Sequence, residues 1–202
     1  MLDINDLALH GLTLRQLATI EQLADVTGLD SEAIGTALDQ AVADGRAIAA
    51  RGAYMITPAG REHLDAVYPG AFAALRSDAQ LVSTLADFEH GINKKNLALM
   101  TSWQTIVIDG TEQPNDHSDS DHDAKVIDRL AQLHDRATVL LAPFADADAL
   151  CKRFLARLDD ALQKVDHGEH DYVSSVRIDS YHTVWYQMHE HLLRVMGEER
   201  DE

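Results

Sequence analysis

The chain has 202 residues, enough for one large or two small domains, and 46% apolar with 25% charged residues excludes wholesale disorder. A net charge of −17 opposes any surface that must neutralise phosphates, so nucleic-acid binding has to be argued from local basic patches. No apolar run approaches the roughly 18 residues of a membrane span, and the acidic start Met1-Leu2-Asp3-Ile4-Asn5-Asp6 is unlike a secretory signal. A cytoplasmic protein without a membrane partner is expected. The lone Cys151 excludes an internal disulfide and a thiolate-rich zinc site.

In chain order, Leu7, Leu9, Leu12, Leu14 and Leu17 predict a first helix over 4–18. Thr19 caps a short second helix ending at Gly28, and Asp30 or Ser31 caps a third, in which Ile34, Leu38 and Val42 recur until Gly45. Two short runs, 47–50 and 54–56, flank a turn at Arg51-Gly52 and read as a hairpin. Thr57-Pro58 then opens another helix. After Tyr68-Pro69-Gly70, read as a hinge, a stripe runs from Leu81 to Ile106, with a capping box at Ser77 and Gln80 and Gly91 as its bend. The stretch 109–123 reads as a loop with six acids. Ser120 with Asp123 opens the next helix, Leu150 to Val165 marks another stripe, and the last segment breaks near Asp179, which caps its second half.

The expected fold is therefore mainly α: a winged-helix domain of three helices plus a small β-hairpin at 1–68, then an antiparallel helical bundle at 69–202. The segments "IEQLADVTGLDSEAIGTALDQAVADG" and "ITPAGREHL" resemble MarR-type bacterial regulators. The strings "TSWQ", "PNDHSDSDHDAKVIDRLAQLHDRA" and "DSYHTVWYQMHEHLLRVMGEER" look like the C-terminal extension of actinobacterial pyruvate phosphate dikinase-type proteins and their stand-alone relatives. This kinship implies a helper or regulatory module near phosphoenolpyruvate metabolism. The dikinase itself is excluded, because its phosphorylatable-histidine segment and nucleotide-binding half have no counterpart here.

The third helix resists the usual regulator role. It carries Glu32, Asp39 and Asp44 with no Lys or Arg, and residues 1–68 hold four basic against ten acidic side chains. Base reading normally needs Arg, Lys, Asn or Gln at the groove edge. Gln40 is the candidate for a base contact, with Arg46, Arg51 and Arg61 for phosphates.

Eleven histidines invite a metal reading, but the spacings argue against one. His182 and His189 would stand ~10 Å apart along one helix. Asp119, Asp121 and Asp123 start like a calcium loop, yet Ala124 and Leu130 occupy the positions that need Gly and Glu. His117 and His122 could hold a metal only through tertiary partners. No metal, no cofactor and no catalytic residue are assigned. Asn115, Asp116, His117, Tyr181, His182, Trp185, His189 and Glu190 fall in the resembling strings. They either line one polar pocket for a small anion or metabolite, or are satisfied interior groups. The leading expectation is a non-catalytic regulatory or interaction protein that docks onto another protein or itself as a homodimer, accessory to phosphoenolpyruvate or pyruvate metabolism. The alternatives are a DNA-binding transcriptional regulator with a helical dimerisation and effector domain, and a metal- or metabolite-binding enzyme using His117 and His182.

Overall fold

The computed structural model describes residues 1–199 and is mainly helical, with two small antiparallel sheets. Helix α1 (Ile4–Arg15) is capped by Asp3, whose carboxylate accepts from the Asp6 amide. It stops short of the expected Ala18, because Leu17–Ala18 form strand β1. Helix α2 (Ile20–Thr27) opens on a full capping box between Thr19 and Gln22 and closes on left-handed Gly28. Helix α3 (Ser31–Ala43) is capped by Asp30 and buries Ile34, Ala37, Leu38 and Ala41. Strands β2 (Ala47–Ala50) and β3 (Ala53–Ile56) follow, joined by Arg51-Gly52 with positive φ at both residues, the backbone of a two-residue hairpin turn. The sheet order is β1-β3-β2.

Helix α4 (Pro58–Ala71) begins under a Thr57 cap with Pro58 in its first turn. Gly60 is required there, since a Cβ would lie 2.2 Å from the Arg46 carbonyl oxygen. The hinge expected at Tyr68-Pro69-Gly70 is instead helix: α4 continues through Pro69, with Tyr68 buried beneath it. After α5 (Ala73–Arg76), the stripe from Leu81 divides into α6 (Ala79–Asp87), a π-helical segment (Phe88–Asn93) and α7 (Lys94–Gln104). Ile106 lies beyond the helix on strand β4 (Thr105–Ile108), which pairs with β5 (Thr111–Pro114). Part of the expected acidic loop is thus a second hairpin, turning at Asp109-Gly110, again with both φ values positive.

Helices α8 (Ser120–Ala147) and α9 (Ala149–Asp166) are separated by Asp148 alone, and α10 (Asp171–Ser174) and α11 (Tyr181–Met196) complete the chain. Three expected caps shift by one residue: Asp78 caps α6 in place of Ser77, Asp119 caps α8 in place of Ser120, and Ser180 caps α11 in place of Asp179. In each case the neighbouring polar residue has the extended or non-helical backbone that aims its oxygen at the free amides.

Apolar side chains from both halves form one contiguous core, from Leu9, Leu12 and Leu23 to Phe154, Trp185 and Leu192. Helix α1 packs against α11, and α2 against α9. Arg153 of α9 donates to the carbonyls of Ala24 and Asp25 at the carboxyl end of α2. Arg15, at the end of α1, and Arg157 of α9 grip the two oxygens of Asp179 at 2.7 and 2.8 Å. These contacts hold the N-terminal elements to the helices that follow. Among the described residues no helix is long and apolar enough to cross a membrane.

Candidate functional site: an outward strand face and a buried histidine chain

The outer surface of the N-terminal unit is defined by α3 and the three-stranded sheet. The polar side of α3 exposes Ser31, Glu32, Thr36, Asp39 and Gln40. Gln40 donates to Asp44 within the same helix. Arg46 lies 3.8 Å from Asp44, so its charge is partly answered in place. Arg51 and Arg61 are exposed, at the hairpin tip and in the first turn of α4. The four sequence candidates for DNA contact therefore leave two uncommitted cations beside an acidic helix.

The sheet itself carries a different signal. Leu17 pairs with Met55, and Met55 with Ile48, so the three side chains form one row across β1, β3 and β2. They are 53%, 41% and 51% exposed. Adjacent, directly paired apolar side chains left in water mark a surface suited to another polypeptide more than scattered single ones do.

The eight candidates of the C-terminal half do not share one pocket. Asn115 is buried, donates to the Trp103 carbonyl and to Asp123 Oδ1, and accepts from the His117 amide. That last bond closes a local turn in which His117 takes a left-handed φ of 60°. The His117 ring donates from Nδ1 to the buried Asp123 carboxylate at 2.9 Å and packs on Trp103 at 4.5 Å. Asp116 points outward and accepts from Ser118, a bond that lowers its pKa.

On α11 the candidates diverge because the helix turns their side chains to different neighbours. Tyr181 is buried against His134, and burial raises its pKa. Trp185 donates to Asn93 and stacks on Phe88, while His189 lies 2.6 Å from Glu89, so both face the π-helical segment. His182 lines a cleft next to Arg15, and burial lowers its pKa. Glu190 pairs with Arg194 on yet another side. His122 meets the Ser102 carbonyl, separate from the His117 pair with Asp123. Among the described residues no group of three or more His, Cys, Asp or Glu is placed to hold a metal ion. Cys151 is buried, and burial raises its thiol pKa, which keeps it protonated.

A chain of polar side chains absent from the sequence candidates crosses the junction between the two halves. Tyr68 of α4, His10 of α1, His191 of α11 and Asp148 between α8 and α9 are linked in series. The Tyr68 hydroxyl lies 2.8 Å from His10 Nδ1, and His10 Nε2 lies 2.9 Å from His191 Nδ1. His191 Nε2 bonds to Asp148. With both rings neutral, one orientation satisfies every member: Tyr68 donates to His10, His10 to His191, and His191 to the carboxylate. Burial holds the His10 pKa well below the ordinary value, and the charge of Arg194 adds to that effect. Burial works to raise the Asp148 pKa, but the hydrogen bonds from His191 and from the α9 amides of Leu150 and Cys151 leave it lowered. Asp148 also accepts from the Leu150 and Cys151 amides, so it caps α9 while it anchors the chain. Beside it lies a small cavity of about 130 Å³, walled mainly by Leu2, Leu7, Phe72 and Leu150. Nothing in the local sequence signals this chain, since His10 and His191 are 181 residues apart.

Comparison of the chain with known proteins finds no matching family model, no matching curated protein and no matching solved structure.

Proposed function

We propose that this is a non-catalytic regulatory or interaction protein whose N-terminal unit is a winged helix that docks onto a polypeptide, in the first instance a second copy of the chain. The order α1, β1, α2, α3, β2, β3 and the sheet order β1-β3-β2 support the winged-helix reading. The observation that carries the docking reading is the exposed row of Leu17, Met55 and Ile48 beside an acidic α3. A duplex presents a dense line of phosphates, which this combination of carboxylates and apolar side chains repels or leaves unsatisfied. A polypeptide surface with apolar side chains and a few cations complements it. For a partner that handles phosphoenolpyruvate, the sequence resemblance alone speaks.

Light scattering across a concentration series tests self-association. The wild type is expected to form dimers, and Met55→Asp, which places a charge in the centre of the row, is expected to stay monomeric while keeping its helical circular dichroism. The DNA-binding alternative draws on the exposed Arg51 and Arg61. Titration against genomic fragments from the protein's own locus at two salt concentrations separates the two. Sequence-selective binding that weakens steeply with salt would refute the docking reading.

A further inference from the structure

A cleft of about 420 Å³ lies where the end of α1, β1 and the start of α2 face the segment 176–187. Its volume falls in the range of small-molecule sites. Its charge is opposite to that of the chain. Among the described residues Asp179 is the one acid lining it, and that carboxylate is shared between Arg15 and Arg157. Two guanidiniums on one carboxylate leave a net positive charge. Arg177 adds a second, since its side chain is exposed and has no protein partner among the described residues. Polar atoms of Gln16, Thr183 and His182 share the lining, and Nδ1 of His182 is buried without a hydrogen-bond partner. Gln16 is held at a φ of 65°, a conformation that is costly for a residue with a side chain and tends to occur at ligand sites. Leu17, Val176 and Tyr186 give the cleft apolar walls.

We propose that this cleft binds a small organic carboxylate, with Arg177 holding the carboxylate and Leu17, Val176 and Tyr186 flanking an apolar body. A guanidinium fork matches a carboxylate in two parallel hydrogen bonds. The planar fork of Arg177 suits a carboxylate, and the apolar walls of Leu17, Val176 and Tyr186 select an organic acid over an inorganic ion such as phosphate. The inference shares Leu17 with the docking row but rests on the cleft's own charge and shape, and ligand titration and light scattering read the two separately, so either can fail alone.

Calorimetric titration of the full chain at pH 7.5 and low salt with benzoate, phenylacetate and hexanoate tests it. At least one of the three is expected to saturate one site with a Kd of about 1 mM or tighter. Arg177→Gln is expected to weaken that binding by about tenfold or more, whereas Lys125→Gln, an exposed change on α8, leaves it unchanged. Benzyl alcohol and inorganic phosphate are expected to bind more weakly than the acids. Circular dichroism of both variants confirms that each is folded. The proposal is overturned if none of the three acids saturates below about 10 mM, if Arg177→Gln binds as tightly as the wild type, or if inorganic phosphate equals the best acid.

Discussion

Two regions of this protein invert the usual sorting of side chains in opposite ways. On the outer sheet, Leu17, Met55 and Ile48 stand in water. At the junction of the two halves, His10 and His191 are almost wholly removed from it. Both arrangements cost free energy unless something compensates. The histidines are compensated internally, because each ring nitrogen meets a partner and the series ends on a carboxylate that is itself bonded to helix amides. The strand row has no such answer among the described residues. The difference teaches where to look for each kind of role: satisfied buried polarity fixes how elements meet, whereas unanswered surface apolarity points to another molecule.

The largest effect is expected from Asp148→Ala. It removes the α9 cap, worth ~1 kcal/mol, and a hydrogen bond to a charged group, worth up to ~3 kcal/mol, so a loss of about 4 kcal/mol in denaturant unfolding is expected. Asp148→Asn keeps an oxygen for the α9 amides and is expected to lose less. Equal losses would show that the bond between His191 and the carboxylate, not the cap, dominates.

Next comes pH. The folded His10 pKa is depressed, so below the unfolded histidine value of about 6.5 the unfolded chain binds more protons than the native one. Stability is fully present above that pH and falls as pH drops through it, by ~1.4 kcal/mol per pH unit for this residue. Burial also depresses the His134 and His182 pKa values, which steepens the decline in the same window. The carboxylates Asp148 and Asp179, whose pKa values are lowered despite burial, act in a separate window, losing their contribution only below about pH 4. Unfolding curves that superimpose between pH 7 and 5.5 would remove the neutral-histidine assignment.

The smallest effect on stability is expected on the outer surface. Glu32→Lys with Asp39→Lys reverses two exposed charges on α3 and should change unfolding free energy by less than ~0.5 kcal/mol per site. The same double variant should gain salt-sensitive, non-selective DNA affinity over the wild type, measured by fluorescence anisotropy. Strong wild-type binding that the reversal leaves unchanged would mean that α3 does not face the duplex at all.

Much of the N-terminal unit was legible because its signals are local. The Thr19 box, the Arg51-Gly52 turn and the Thr57-Pro58 start each act through neighbours within four residues. The one-residue errors at Asp78, Asp119 and Ser180 arise where two capping residues stand side by side and backbone geometry chooses between them. The second hairpin was readable in principle, since Asp109-Gly110 between Ile108 and Thr111 is a strong turn signal, but its acidic setting resembled a loop. The π-helical turn left no comparable mark. For the candidate residues the same division holds. Asn115, His117 and Asp123 assemble within nine positions, whereas Tyr68, His10, His191 and Asp148 meet only because four elements pack together.

The guanidinium of Arg153 on the end of α2 carries a practical consequence for dissection. A polypeptide cut after Tyr68 keeps α1 to α3, the three-stranded sheet and most of α4 but loses Arg153, the Asp179 clamp on Arg15 and the ring that meets His10. Such a fragment would be secondary structure without its keystone. Transplanted alone, it would expose its wrong side, and any stickiness measured for it would report severed packing and not the native outer face.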